Sequence, residues 1–124
     1  MRKTSLALFV AIVLLASHVD AGAPLKGVDV KLGRNPGGGA AARTTGNDGR
    51  FDFGVLPKGS YWIVLTAPPC GVEVTGATGG TVKASWDGKS FHAAPGAVSR
   101  AVAKEKIVFE SDGKQPIRGT VSRM

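Results

Sequence analysis

Hydrophobic and polar residues alternate along most of the chain beyond residue 24, with the two-residue period of a β-strand. In the first such segment, residues 27–32, three aliphatic side chains fall on one face while Asp29 and Lys31 fall on the other. Comparable patterns predict up to nine short strands, at residues 27–32, 41–45, 50–55, 60–66, 72–75, 81–86, 89–93, 106–110 and 116–121.

Turn sequences rich in Gly, Asn, Asp and Pro separate these segments at intervals of roughly eight to twelve residues. Asp87-Gly88 predicts a two-residue hairpin, and Asp112-Gly113 predicts another hairpin between the last two strands. Such spacing is typical of two packed antiparallel sheets. The sequence therefore predicts an all-β fold, a single Greek-key-type β-sandwich of about seven to nine short strands preceded by a signal peptide helix.

Two segments depart from the simple half-buried pattern. Residues 60–66 are apolar on both faces, since Tyr61 begins one apolar row and Trp62 begins the other. A strand of this kind is covered on both sides, which predicts a central position in its sheet. Residues 97–106 are the best candidate for a helical turn in the predicted domain.

The first 21 residues carry the features of a secretory signal. Arg2 and Lys3 supply the positive start, and residues 6–16 form an uncharged apolar run. This run is too short for a stable membrane span, which needs about 20 residues. Small residues at the end of the segment predict cleavage after Ala21 or Ala23.

Cleavage there defines the expected organisation, a signal peptide at residues 1–21 and one β-sandwich domain at residues 24–124. The protein is then expected to be periplasmic or secreted, and to meet a membrane only transiently through its signal peptide. The chain has a single cysteine, Cys70, so no intramolecular disulfide can form. We expect Cys70 to serve as a small buried hydrophobic residue.

The chain is basic, because 16 Lys and Arg against 9 Asp and Glu give a formal net charge of +7. The positive residues form no dense run and no aromatic–basic motif, so we expect no nucleic-acid binding. Weak long-range attraction to anionic envelope polymers or acidic partners is the expected effect of this charge. One cysteine and two histidines provide no set of metal ligands, and we expect neither a metal nor a cofactor.

An ordered set of residues between positions 24 and 65 resembles the carboxypeptidase regulatory-like domain, a member of the transthyretin-like, prealbumin-type β-sandwiches. The matching segments are Pro24-Leu25-x-Gly27-Val28, Thr44-Thr45 followed by Asp48-Gly49-x-Phe51, and Leu56-Pro57-x-Gly59-x-Tyr61. The resemblance implies a β-sandwich without the zinc site of the carboxypeptidases. Domains of this type act as folding aids, adhesive modules, transporter extensions and carbohydrate-binding-like domains, so the fold alone does not define a function.

The residues of this motif have structural rather than chemical roles. Glycine lets the turns close, proline fixes the backbone, and Phe51 and Phe53 are expected to share a core face with Val55. Tyr61 is expected to point inward and to hydrogen-bond near the preceding turn. The fold-motif set is Gly27, Asp48, Gly49, Phe51, Phe53, Leu56, Pro57, Gly59 and Tyr61.

A hydroxyisourate-hydrolase-like enzyme is the less favoured, catalytic alternative. Fragments similar to the motifs of that enzyme are His18-Val19-Asp20, Asp48-Gly49-Arg50 and Ile117-Arg118-Gly119-Thr120. The first fragment falls in the expected signal peptide, Ile117 replaces a tyrosine, and His92 lacks the surrounding sequence of the enzyme. We therefore expect no catalytic residues, because the pair of histidines needed to activate water is missing.

Two tryptophans are the candidate ligand-binding residues. If Tyr61 faces the core, Trp62 faces away from it, and an exposed aromatic ring on a sheet can stack on a sugar. Trp86 precedes the Asp87-Gly88 turn and could act in the same way, although either ring could instead pack against cross-strand neighbours.

These observations predict a non-catalytic binding or interaction module of the cell envelope with an unidentified protein or polysaccharide partner. Open sheet edges would recruit a protein by strand addition, or surface aromatic residues would contact a ligand. The alternative from a different class is a carbohydrate-binding module that uses Trp62 or Trp86.

Overall fold

A computed structural model describes residues 22–35, 37, 40–94 and 101–124. The expected signal peptide lies outside these residues. The nine strands are β1 Asp29–Arg34, β2 Ala40–Thr44, β3 Arg50–Val55, β4 Gly59–Thr66, β5 Cys70–Thr75, β6 Val82–Trp86, β7 Phe91–Ala93, β8 Ile107–Ser111 and β9 Pro116–Ser122. In the described part of the chain, no helix is long and apolar enough to cross a bilayer.

The strands form two antiparallel sheets, which confirms the predicted all-β fold. The first sheet has the order β2-β1-β4-β8, and the second has the order β3-β9-β5-β6-β7. Strand β4 lies between β1 and β8, as its two apolar faces predicted. Alternate residues of both sheets point inward, and the most completely buried are Val30, Ile63, Cys70, Val74, Val82, Ile107, Ile117 and Val121.

The prediction of a hairpin at Asp112-Gly113 is wrong. The strand before this turn, β8, pairs with β4 in the first sheet, whereas the strand after it, β9, lies between β3 and β5 in the second. The turn therefore carries the chain from one sheet to the other. Turn residues favour a reversal of the chain direction but do not specify whether the two strands pair or face each other across the core.

The turn at Gly46–Gly49 likewise joins the two sheets, because β2 belongs to the first sheet and β3 to the second. The predicted β6–β7 hairpin is present, but its loop has four residues, 87–90, since Trp86 pairs with Phe91. The Asp87 carboxylate causes the longer loop by accepting hydrogen bonds from the backbone N–H groups of Lys89 and Ser90, both at 2.8 Å.

Val55 does not share the core face of Phe51 and Phe53. The register between β3 and β9 shifts at Gly54, which has φ +71° and donates its N–H to the Asp52 carboxylate at 2.7 Å. This bulge adds one residue to the alternation, so the next side chain turns outward. Val55 is consequently 55% exposed, although Phe51 and Phe53 are buried as predicted.

The inward orientation of Tyr61 is confirmed. Its hydroxyl donates a 2.6 Å hydrogen bond to the Pro57 carbonyl, and its ring stacks against Phe109 with a centroid distance of 6.0 Å.

Gly49 allows the turn before β3 to pass close to the first residues of the domain. A Cβ at residue 49 would lie 3.0 Å from the Leu25 nitrogen and 2.5 Å from the Val121 carbonyl oxygen, and φ there is +71°.

The remaining motif residues lie in turns or at the edge of the core. Asp48 accepts a hydrogen bond from the Arg50 N–H at 3.0 Å, and Leu56 packs partly buried against the core. Gly27 and Gly59 precede β1 and begin β4, respectively. Of the predicted helical segment, residues 97–100 lie outside the described residues, and residues 101–106 contain no α-helix.

Candidate functional site

Trp62 lies on the outer face of the central strand β4 and is half-buried there. Its six-membered ring occupies the space directly over Gly33 on the neighbouring strand β1, where any Cβ would collide with it. The indole Nε1 donates a 3.0 Å hydrogen bond to the Arg34 carbonyl. Two contacts with the backbone therefore fix the ring on the sheet surface without burying it in the core.

Val64 and two lysines extend the surface beside this ring. Val64 pairs with Lys31 across the β1–β4 ladder, and continuing the β4–β8 register places Lys106 on its other side. The Lys106 ammonium lies 5.9 Å from the centre of the Trp62 ring, within the range of a cation–π interaction. A solvent-open groove of about 460 Å³ results, lined by Trp62, Val64, Ala103, Lys104, Glu105 and Lys106. We call this surface the Trp62 groove.

The structure places Trp86 in the core rather than at the surface. Its side chain is 7% exposed, packs against Phe91 with a centroid distance of 4.7 Å, and donates its Nε1 to the Ala67 carbonyl at 3.0 Å. A ring held in this way offers no face to a ligand, so the prediction of a stacking role for Trp86 is wrong. The sequence contained the signal, because Val82, Ala84 and Trp86 share one face of a strand.

A second cleft, of about 410 Å³, lies on the outer face of β3, β9 and β5. It brings Arg50 beside Thr120 and therefore unites two of the fragments that resemble the hydrolase. Its polar lining is Arg50, Asp52, Glu73, Thr75, Arg118 and Thr120, and in the described residues this lining contains no imidazole.

Most of the charged side chains that line the second cleft form ion pairs within the protein. Arg118 donates to the Asp52 carboxylate at 3.0 Å, and Glu73 pairs with Lys83 at 3.7 Å. The Gly54 N–H, followed by Arg118, holds the pKa of Asp52 below its ordinary value. A ligand would have to compete with these pairs, which makes this cleft a weaker candidate than the Trp62 groove.

His92 lies away from both clefts, at the β6–β7 hairpin. Its Nε2 is 2.8 Å from the Asp87 carboxylate, which also accepts from the Ser90 hydroxyl at 3.1 Å. The ring of His92, then the two backbone donors of the loop, hold the pKa of Asp87 well below its ordinary value. This constellation closes the β6–β7 loop and holds Asp87 as an ion.

The described residues contain no group of three or more His, Cys, Asp or Glu side chains that could hold a metal ion. Cys70 is fully buried, and burial raises the pKa of its thiol to about 11. A thiol in this environment is inert, which agrees with its expected role as a small hydrophobic residue.

Comparisons with protein-family models, with curated proteins and with solved structures each found no match to this chain. The resemblance to carboxypeptidase regulatory-like domains therefore rests on the residues between positions 24 and 65.

Sequence reasoning found Trp62 but missed Lys31, Gly33 and Lys106, the residues that surround it. Lys31 faces outward in the predicted strand, whereas Gly33 lies one residue beyond its predicted end and is covered by the Trp62 ring. Their proximity to Trp62 follows only from the order and register of β1, β4 and β8.

Proposed function

We propose that this protein is a non-catalytic β-sandwich module of the cell envelope, exported by the N-terminal signal, and that the Trp62 groove binds a carbohydrate. The sandwich is proposed to be of the carboxypeptidase regulatory-like, transthyretin-like type. The observation that carries the proposal is the position of the Trp62 ring, fixed over Gly33 on an outer sheet face beside an open groove.

The geometry suits a sugar because a pyranose ring has a flat apolar side made of C–H groups. Such a side packs well on an indole, whose ring face carries partial negative charge. Trp62 is already held by the Arg34 carbonyl, so little side-chain entropy would be lost when a ligand binds. Val64 extends the apolar surface along the same strand.

Intrinsic tryptophan fluorescence tests this proposal. The purified protein is titrated with a panel of neutral and acidic envelope polysaccharides at low and at high salt. Saturable quenching that persists in high salt and disappears in Trp62→Ala is the expected result. Trp86→Phe provides the matched control, because Trp86 is buried and its replacement should leave the binding-induced change in place.

A change that high salt abolishes, or no change with any polysaccharide, would contradict a carbohydrate site. The second candidate is then recruitment of an envelope protein by strand addition, and the sheet edges favour β2 for this role. Edge strand β3 is interrupted by its bulge, β7 has only three residues, and β8 has its Glu110 carbonyl occupied by the Thr78 N–H.

Strand β2 pairs with β1 over five residues and carries small side chains at Ala41 and Ala42. Its Ala42 carbonyl accepts a 2.9 Å hydrogen bond from the exposed Arg43 side chain, which an added strand would have to displace. A lysine on an edge strand disfavours pairing with another chain. Ala42→Lys should therefore abolish capture of a protein partner if strand addition is the function, whereas Trp62→Ala should not. The reverse result would support the Trp62 groove.

A further inference from the structure

We infer that the Trp62 groove is selective for acidic polysaccharides with carboxylated pyranose units, because two unpaired lysines flank the apolar strip formed by Trp62 and Val64. The inference rests on the proposed carbohydrate-binding function and specifies its ligand class. The sugar ring packs on the tryptophan, while a carboxylate attached to that ring lies between the two ammonium groups.

The arrangement of cations follows from the strand order. Lys31 lies on β1 and Lys106 immediately precedes β8, and β4 runs between these two strands. Neighbouring strands are about 4.8 Å apart, so the two lysine backbones stand roughly 10 Å apart on either side of Val64. This separation leaves room for one sugar ring between two flexible ammonium groups.

Among the residues that the structure describes, neither Lys31 nor Lys106 is paired with a carboxylate, although the Lys106 ammonium lies 5.9 Å from the centre of the Trp62 ring and would have to shift toward a bound carboxylate. On the opposite sheet, by contrast, Lys83 and Arg118 are both paired with carboxylates. The basic side chains of the second sheet are thus matched within the protein, and those of the Trp62 groove are not.

The charge of the groove remains positive when its acidic residue is included. Lys104, Glu105 and Lys106 line the groove and carry a net charge of about +1 among them. Lys31 lies beside the groove, next to Val64 on β1, and Asp29 is two residues away on the same outward face. A neutral glycan would gain nothing from these ammonium groups. An anionic glycan would gain from both, and the net positive charge of the domain would further favour its approach.

A uronate fits this surface better than an acidic peptide does. In a uronate, the carboxylate is attached directly to the pyranose ring, so stacking on Trp62 and the charge contacts are made by one rigid unit. In a peptide, the carboxylate is carried on a flexible side chain and the backbone presents polar groups to the indole. The rigid unit loses less conformational freedom on binding.

Isothermal titration calorimetry with trigalacturonate and its fully methyl-esterified form tests the inference on the full protein. The two ligands share their sugar rings and differ in charge. We expect trigalacturonate to bind about tenfold more tightly than the ester, an advantage that Lys31→Gln/Lys106→Gln removes. Lys83→Gln/Lys114→Gln makes the same change in net charge away from the groove and should retain the preference.

The outcomes distinguish this inference from the function on which it rests. Equal binding of acid and ester, both lost in Trp62→Ala, would overturn the charge selectivity and leave the carbohydrate site standing. Absence of binding by either ligand would overturn the inference, and it would overturn the carbohydrate site as well only if no polysaccharide of the panel quenches Trp62. Binding of trigalacturonate that survives in Trp62→Ala would identify diffuse charge attraction, and equally tight, Trp62-dependent binding of oligoglutamate would identify an acidic peptide site. Either result overturns the inference.

Discussion

The six-membered ring of Trp62 fills the space that a side chain at residue 33 would occupy. Gly33 is therefore a positioning residue for the groove, since it lets the ring settle on the backbone of β1 and reach the Arg34 carbonyl. The two residues belong to strands that pair directly, Gly33 opposite Trp62. An aromatic ring supported in this manner is part of the sheet surface.

Gly33→Ala should displace the Trp62 ring and weaken ligand binding at least tenfold, while the fold is retained. The added methyl group would occupy the position of the ring, so the indole must lift into solvent and its emission should shift to longer wavelength. Glycan titrations and fluorescence spectra measure the two effects. Gly71→Ala is the matched control, because a Cβ there would make only ordinary contacts with Ser122, 3.5 Å from its hydroxyl and 3.8 Å from its carbonyl oxygen.

Unchanged emission and unchanged affinity in Gly33→Ala would contradict the support of the ring by this glycine. An unfolded variant would be recognised by loss of the β-sheet circular dichroism. In that case Trp62→Phe, which keeps an aromatic ring but loses the Arg34 hydrogen bond, should still weaken binding by several-fold.

Thr45→Val should destabilise the domain by about 2–4 kcal/mol. The buried hydroxyl of Thr45 accepts from the Val28 N–H at 2.9 Å and donates to the Leu25 carbonyl at 2.7 Å. Valine has the same shape but leaves both backbone groups without this partner. Urea unfolding gives the change in free energy.

Thr44→Val provides the comparison on the adjacent residue. Its hydroxyl hydrogen-bonds the Asp29 carboxylate at the protein surface, so its loss should cost less than about 1 kcal/mol. Equal effects of the two substitutions would contradict a structural role for the buried hydroxyl.

Cys70 should lower the stability of the domain in alkaline solution. Its pKa is about 11 in the folded protein against about 8.5 for an exposed thiol, because the folded state buries the group. Because the folded-state pKa is the higher one, the buried thiol stabilises the folded state fully below about pH 8.5. This stabilisation is lost as the pH rises to about 11. Unfolding free energies of wild type and Cys70→Ala, compared from pH 7 to 11, should converge over this window.

The same burial predicts that a thiol reagent labels Cys70 slowly in the native protein and rapidly in guanidinium chloride. The contrary observation, fast labelling of the native protein at pH 8, would show that the thiol is accessible.

Acid should weaken the β6–β7 loop through Asp87. Hydrogen bonds from His92 and from the loop backbone hold the pKa of Asp87 below its ordinary value in the folded state. Because the folded-state pKa is depressed, the stabilisation is present above about pH 4 and is lost as pH falls below it. Asp87→Asn should reduce stability at pH 7 and make it less dependent on pH between 2 and 5.

His92→Gln is a useful companion because it removes the strongest contributor and retains the backbone donors. It should reduce the pH dependence of stability less than Asp87→Asn does and in the same direction, as measured by acid titrations followed by circular dichroism. Identical pH profiles for wild type and Asp87→Asn would contradict the role given to this carboxylate.

Much of the fold could be predicted from the sequence because strand alternation is a local property. The burial of Phe51 and Phe53, the inward Tyr61 and the central position of β4 all follow from side-chain period and turn residues. The bulge at Gly54 was not predicted, because a single glycine within a strand is not a specific signal for a register shift. Local sequence also does not determine to which sheet a strand belongs. The turn at Asp112-Gly113 looks like a hairpin turn but joins strands of different sheets.

The candidate site was predictable only in part. Trp62 was identified because it alternates with a core residue on its own strand. Its neighbours Lys31 and Lys106 lie 31 and 44 positions away along the chain, and only the order β1-β4-β8 brings them to the same surface. For Trp86 the two local signals disagree, since its position beside a turn suggests exposure whereas its phase with Val82 and Ala84 indicates burial.

The most direct test of the account is the pair of indole N–H signals in a ¹H–¹⁵N correlation spectrum of the protein. Trp62 and Trp86 give one signal each, and Trp62→Phe assigns them. Addition of trigalacturonate should shift the Trp62 signal in a saturable manner and leave the Trp86 signal in place. A Trp62 signal that does not respond to any glycan, in a spectrum that otherwise shows binding, would contradict the assignment of the Trp62 groove as the ligand site.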